Sequence, residues 1–342
     1  MRGRGPSRYF FVHIMKTAGT NFLVQFARQF PRDATWPAIL PEEVDDPGAF
    51  RDFDTITNYL SVRALQELEP DERGRLRFIA GHIPFAAAEL LGGPGPDLAC
   101  LTILRDPVDR TISFLSQCRR DVPELRDQPL EAIYDDPWYF ERFVKDFQTR
   151  VLSMTLDEAV ALRMDEIRFA DYLQSLIPPT ATAEDRAGIE DVLAEHKPMN
   201  HQNTYVLVAL LERLGVDMSD TQERYEAIAS HPDYQVPAGA MGYLYADAAF
   251  SRPSPVDDDR FRLAVTNLER CAVVGLTEDY PAFITAVNEQ FGLRCTAEGR
   301  ANAGSRQPDE PASSFTRRIR DDNHHDIELY AAARALIAAR VG

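Results

Sequence analysis

The segment Tyr9 to Ile14 (YFFVHI) is a strand-length run of aromatic and β-branched residues. It is cut short by the small-residue turn Lys16-Thr17-Ala18-Gly19-Thr20. From Asn21 to Phe30 the apolar residues Phe22, Leu23, Phe26, Ala27 and Phe30 recur at three- and four-residue spacing, the period of a helix. Further strands read at Arg77 to Gly81 and Ala99 to Leu104, the latter followed by Pro107 in a helix's first turn with Ile112, Phe114 and Leu115 as its apolar positions. Another helix is expected near Ser61 to Leu68, and a last buried strand at Cys271 to Leu276 runs into the amphipathic segment Glu278 to Phe291. A loop from Arg294 to Ser314 then leads to a closing helix, Asp326 to Arg340. Strands that alternate with helices imply a mostly parallel sheet covered on both faces. The expectation is therefore a single α/β domain over residues 1–342, three layers deep around a central sheet. Strand signals vanish across residues 138–230, so a helical insertion or cap is expected at about 138–260. In such sheets ligands sit beyond the carboxyl ends of the strands.

The formal net charge of −17 repels polyanions at long range, which argues against nucleic acid as a partner. Four widely spaced cysteines with no CxxC pair are too few for a disulfide framework and suit a reducing compartment. Apolar stretches such as Tyr205 to Leu211 fall far short of a membrane helix. Arg2, Arg4 and Arg8 precede a strand-like run interrupted by His13 and Lys16, not a secretory apolar core. A cytoplasmic protein without a membrane span is the expectation.

The residues after the strands carry the chemistry. A turn of small residues opening into a helix lets backbone N–H groups converge on an anion, aided by the helix N-terminus, so residues 16–20 read as a phosphate cradle. The motif is not Walker A, because the GxxxxGK[ST] spacing is absent and Lys16 precedes Gly19. An ordinary strand-to-helix turn would use the same residues, with Lys16 solvated and Gly19 permitting the bend. The scarcity of lysine favours the cradle: Lys16, Lys145 and Lys197 are the only lysines among 37 basic residues. A compact ammonium suits a group that gains charge in a confined site, where Arg would bring a rigid fork. After the third strand, Arg105 and Ser113 offer a forked cation and a hydroxyl for a second phosphate. The alternative is an arginine paired with Asp106 or Asp109.

Together the two motifs resemble those of the sulfotransferases that use 3′-phosphoadenosine 5′-phosphosulfate (PAPS), in particular the carbohydrate and uronosyl O-sulfotransferase branch and its bacterial relatives. HIMKTAGTNF is similar to that branch's HIPKTAGTSL-type motif for the 5′-phosphosulfate, and TILRDPVDRTISFL to its 3′-phosphate motif. The likeness extends to Gly81-His82-Ile83-Pro84-Phe85, to Asp146-Phe147-Gln148-Thr149-Arg150, and to CAVVGLTEDYPAFI and DIELYAAARALI near the C-terminus. It covers most of residues 8–150 and 270–340 and omits 176–260. Met15 replaces Pro, Asn21 replaces the usual hydroxyl residue, and Asp146 stands where relatives often carry Asn.

The resemblance implies a P-loop NTPase-like three-layer fold and sulfuryl transfer from PAPS to a hydroxyl of a small-molecule or carbohydrate acceptor, without a metal. Lys16, with the N–H groups of Thr17, Ala18, Gly19 and Thr20 and with Asn21 beside them, would hold the 5′-phosphosulfate and stabilise the leaving phosphate. Arg105 and Ser113 would hold the 3′-phosphate. His82 would be the general base, a role that suits an imidazole in a loop between Gly81 and Pro84. The basic segment Arg294 to Arg320 would fold over the nucleotide, with Arg306 as the candidate contact. Gln148 and Arg150 would either face the acceptor or cap their helix. His13 reads as a core residue, and His324 and His325 as solvated. The aromatic group Trp138, Tyr139, Phe140 and Phe143 would line an acceptor pocket or belong to the core, and the stretch Leu176 to Arg260 would shape that pocket. The acidic surface disfavours a highly sulfated or uronate-rich polymer as acceptor. Two other classes stay open: a nucleotide-dependent kinase on the same scaffold, and a nucleotide-binding module without catalysis.

Overall fold

Strand β1, Arg8–Val12, lies at the centre of a sheet in the computed structural model, which describes residues 6–37, 62–121, 125–160, 177–187, 254–297 and 313–341. All its residues after Arg8 are buried, as a strand covered on both faces requires. Helix α1, Gly19–Ala27, follows, and then the two-residue strand β2, Thr35–Trp36. Two short helices, Val62–Glu67 and Pro70–Arg75, lead to β3, Phe78–Gly81. Strand β4, Leu98–Leu104, is wholly buried and runs into α2, Pro107–Asp121. Then come α3, Phe147–Ser153; α4, Asp258–Glu269; β5, Val273–Leu276; α5, Tyr280–Phe291; α6, Ser313–Asp322; and α7, His324–Val341.

The five strands pair in the order β2-β3-β1-β4-β5, all parallel. The α/β class and the parallel sheet expected from the sequence are therefore present. The chain leaves β1 toward β2 on one side and leaves β4 toward β5 on the other, so the connections diverge between these two neighbours. In open parallel sheets, ligands bind beyond the carboxyl ends of strands at such a divergence. Register then decides which residues meet there. Val12 pairs with both Gly81 and Thr102, so His13, His82 and Ile103 all follow immediately on one line across the sheet.

One face of the sheet is covered by α1 and α5 through aromatic contacts. Tyr9 meets Phe26 edge-on at 5.2 Å between ring centres, Phe26 meets Phe78 at 4.7 Å, and Phe22 meets Phe283 at 4.9 Å. Gly275 on β5 makes the close approach of α5 possible, because a Cβ there would lie 2.5–2.8 Å from atoms of Phe283. On the other side of the fold, α3 is tied to α4 by Asn267 Nδ2, which donates to Leu152 O at 2.8 Å. Tyr139 and Phe143 are buried, and Phe143 packs on Phe114 at 5.1 Å, so these two aromatics belong to the core.

Residues Met1–Ala159 and Ala248–Gly342 form one compact unit and Val160–Asp247 a second. In the second unit the described stretch 177–187 carries a capping box: Thr182 N donates to Asp185 Oδ2 at 2.9 Å and Asp185 N to Thr182 Oγ1 at 3.1 Å. The expected helical cap at about 138–260 lies largely outside the described residues, as does Arg306. All four cysteines are buried free thiols. Among the described residues no helix is long and apolar enough to cross a membrane.

Candidate functional site

The turn after β1 is shaped by its backbone. The His13 N–H still bonds to Gly81 O at 3.1 Å, after which Ile14 N turns back to Val12 O at 3.2 Å and the chain leaves the sheet. Thr17 is fully buried and its hydroxyl donates to Ile14 O at 2.8 Å, closing the turn. Lys16 and Ala18 both adopt the left-handed region, with φ of 69° and 62°. That conformation costs a non-glycine residue on the order of 1–2 kcal/mol. Alternation of this kind turns successive N–H groups into an anion-binding concavity. Ala18 is the N-cap of α1 and supplies no side-chain hydrogen bond where Ser, Thr, Asp or Asn would ordinarily do so. The N-cap side chain therefore does not cap the first-turn amides of α1. Gly19 has ordinary helical geometry; what requires glycine is space, since a Cβ would lie 2.4 Å from Cδ2 of His13 and 2.9 Å from Cζ of Phe11. Asn21 accepts from Gln25 Nε2 at 3.2 Å and is thereby tied to its own helix.

Helix α2 and its N-terminus hold this turn from the side of β4. Asp106 caps α2, its Oδ1 accepting from Val108 N at 3.0 Å and Asp109 N at 3.2 Å, so its carboxylate serves the helix. Arg105 donates through NH1 to Lys16 O at 3.2 Å, which draws the two expected phosphate-binding cations into one site. Burial lowers the pKa of the Arg105 guanidinium somewhat, against the opposing pull of Asp109 and Asp106. Ser113 is half-buried on α2. Arg110, 1% exposed, donates from Nε to Met15 O at 3.3 Å and from NH1 to Phe143 O, with its guanidinium 4.0 Å from the ring centre of Phe147. This arginine was not among the expected site residues. It fastens the cradle turn to the core, and no spacing in the sequence distinguishes it from thirty-odd other arginines.

His82 Nδ1 lies 2.6 Å from His13 O. A carbonyl only accepts, so Nδ1 carries the proton and Nε2 presents a lone pair. The two imidazoles lie 4.5 Å apart between ring centres. Burial pushes His82 down to about 4, opposed by the hydrogen bond to His13 O and reinforced by Lys16 and Arg110. Burial, with His82 and Lys16 nearby, holds His13 well below the usual imidazole range. Both rings are neutral at neutral pH. The arrangement sets a neutral His82, protonated on Nδ1, within electrostatic reach of Lys16 on the turn.

Gln148 is fully buried. Its Nε2 donates to Arg105 O at 2.9 Å, and its Oε1 accepts from Arg105 N at 3.0 Å, so the side chain clamps both backbone groups of one residue. Arg150, 1% exposed, donates to Glu141 O at 2.6 Å and to Arg142 O. Both side chains are thus engaged within the protein, Gln148 on the backbone of Arg105 and Arg150 on carbonyls of the segment before its helix, and neither of these bonds caps that helix.

His325 departs from the expectation of a solvated residue. It is buried, with Nδ1 3.1 Å from Asp146 Oδ2 and its ring 3.9 Å from that of exposed His324. The reason is a reciprocal cap between two helices. Asp146 is the N-cap of α3, and its Oδ1 accepts from Asp326 N at 3.1 Å. Asp326 in return accepts from Gln148 N at 3.1 Å and Thr149 N at 2.7 Å. Asp146 sits at φ 43°, a left-handed position that Asp tolerates better than most residues with a Cβ. Burial, with the Asp146 carboxylate beside it, pushes the Asp326 carboxyl above the usual carboxylate range. Asp146, His324 and His325 bring possible metal-ligating atoms within 4.8 Å of one another, but the Asp146 oxygens already accept from Asp326 N and face His325 Nδ1.

A cavity of about 370 Å³ lined by Pro96, Ala99, Arg270 and Phe291 lies at the amino-terminal ends of β4 and β5, opposite this site. Compared with known proteins, the chain matches no family model, and no curated protein matches it significantly.

Proposed function

We propose that this protein transfers a sulfuryl group from PAPS to a hydroxyl of a small-molecule or carbohydrate acceptor, on a P-loop NTPase-like form of its three-layer α/β fold. The observation that carries the reading is the β1–β3 register, which sets a neutral imidazole with its lone pair on Nε2 beside an anion-binding turn that bears Lys16. The uncapped first turn of α1 and the left-handed pair Lys16 and Ala18 suit an anionic phosphosulfate.

When bound, the donor supplies the sulfuryl group and a phosphate leaving group. The acceptor oxygen bonds to sulfur as the bond from sulfur to the 5′-phosphate oxygen breaks, and the acceptor proton passes to Nε2 of His82. Lys16 and the N–H groups of Thr17 to Thr20 stabilise the charge that develops on the departing phosphate. Arg105 and Ser113 hold the 3′-phosphate. Gln148 serves the nucleotide indirectly by fixing the backbone of Arg105. The buried thiols suit a reducing, cytoplasmic setting.

The test is transfer of labelled sulfate from PAPS to a panel of small hydroxyl compounds and sugars. Lys16→Ala should lower turnover by about 10²–10³-fold. His82→Ala should lower it by about 10²–10⁴-fold while leaving affinity for adenosine 3′,5′-bisphosphate near that of the wild type. Wild-type rates in both variants, or magnesium-dependent transfer from ATP instead, would overturn the assignment.

A further inference from the structure

The sulfuryl-transfer reading gives His13 no task, yet its side chain touches both halves of the site. The residue is 4% exposed, and its ring stacks on Phe11 at 5.4 Å between centres. One side of the ring faces His82 at 4.5 Å. Its Cδ2 and Nε2 sit so close to Gly19, the first residue of α1, that a Cβ there would lie 2.4 Å and 2.6 Å from them. The main chain of the same residue completes the link: His13 N donates to Gly81 O at 3.1 Å, and His13 O faces His82 Nδ1 at 2.6 Å. Lys16 on the turn and Arg110 on α2 are charged groups that act on His82.

We propose that His13 is a positioning residue that makes the anion cradle and the base one mechanical unit, its carbonyl fixing the tautomer of His82 and its ring setting the spacing between His82 and Gly19. The inference rests on the sulfuryl-transfer reading. Tight interiors transmit displacement, so a shift at the start of α1 moves the His13 ring and, through it, Nε2 of His82. An acceptor-to-base misplacement of 1 Å is enough to cost about 100-fold in rate. The imidazole of His13 takes no part in proton transfer; its shape and place are what matter.

Four variants test this through affinity for adenosine 3′,5′-bisphosphate by calorimetry, kcat for sulfuryl transfer, and the acid limb of the pH–rate profile. Gly19→Ala should weaken affinity by about tenfold or more, because its Cβ meets the His13 ring. Adding His13→Ser should restore affinity to within about threefold of wild type while kcat stays about 10–100-fold low. His13→Ser alone should keep affinity, lower kcat, and move the acid limb up from near pH 4 toward the ordinary imidazole range, since His82 loses its dry wall. A general loss of stability would reduce the rate without moving the limb. His13→Phe keeps an aromatic wall and the carbonyl, and should hold kcat within about tenfold with the limb unmoved. It also decides the matter if His13→Ser fails to fold. The proposal falls if Gly19→Ala binds normally, if the double variant recovers affinity and rate together, or if His13→Phe abolishes turnover with affinity intact. Failure of the wild-type protein to bind the bisphosphate would instead remove the function on which the inference stands.

Discussion

Replacing Gln148 by leucine separates the two roles open to that side chain. Leucine nearly conserves the buried volume, so packing is kept while both bonds to Arg105 are lost: the donation to Arg105 O at 2.9 Å and the acceptance from Arg105 N at 3.0 Å. Gln148 itself is 0% exposed, and β4 ends just before Arg105, so neither backbone group has another strand to pair with. Arg105 is half-buried, so each lost bond costs about 0.5–1.5 kcal/mol, which makes the sum about 1–3 kcal/mol. In a folded unit of this size that lowers Tm by roughly 2–12 °C. Urea unfolding followed by circular dichroism gives the free energy directly, and calorimetry with adenosine 3′,5′-bisphosphate reports whether Arg105 has lost its anchor. The expected result is a stability loss of that size together with weaker nucleotide affinity. A loss under about 1 kcal/mol combined with a raised acceptor KM would refute the clamp and return Gln148 to the acceptor side.

Two further outcomes follow from the same geometry. His82 titrates near 4 in the folded protein against about 6.5 when unfolded, so the native state binds fewer protons in that window. Its contribution is complete above pH 6.5 and disappears as pH falls through 4, amounting to about 3–3.5 kcal/mol. Urea midpoints at pH 7.5 and 4.5 should therefore differ less in His82→Asn than in wild type, and an unchanged difference would contradict the assigned burial. Gly275→Ala places a Cβ against the Phe283 ring and should cost about 1–3 kcal/mol, largely recovered by adding Phe283→Leu. No recovery in the double variant would show that the ring is not the obstacle.

Much of this was legible in the residues. β1, β3, β4 and β5 fall within two residues of the expected runs, because strands buried on both faces leave near-continuous apolar stretches. β2 was not legible: Thr35 and Trp36 are too short for any period. Helix α1 begins at Gly19, ahead of the first apolar position at Phe22, because an N-terminus is set by backbone geometry and not by the periodic face. His82 and Arg105 stand out in the sequence because they directly follow strands, and Lys16 because it lies in the turn just beyond one. Arg110 and Asp326 do not, since each works through partners 95 and 177 residues away in sequence, Met15 and Thr149. The same distance explains His325, whose burial follows from a cap that Asp146 makes across the fold.

The turn from Lys16 to Thr20 and Arg105 should together bind a nucleotide with phosphates at both the 3′ and 5′ positions. Calorimetric titration of the full chain with adenosine 3′,5′-bisphosphate, with adenosine 5′-phosphate as the control, tests it most directly. The account predicts saturable one-to-one binding of the bisphosphate, much weaker binding of the monophosphate, and loss of that preference in Arg105→Ala. No binding of the bisphosphate, or equal affinity for the two nucleotides, would contradict it.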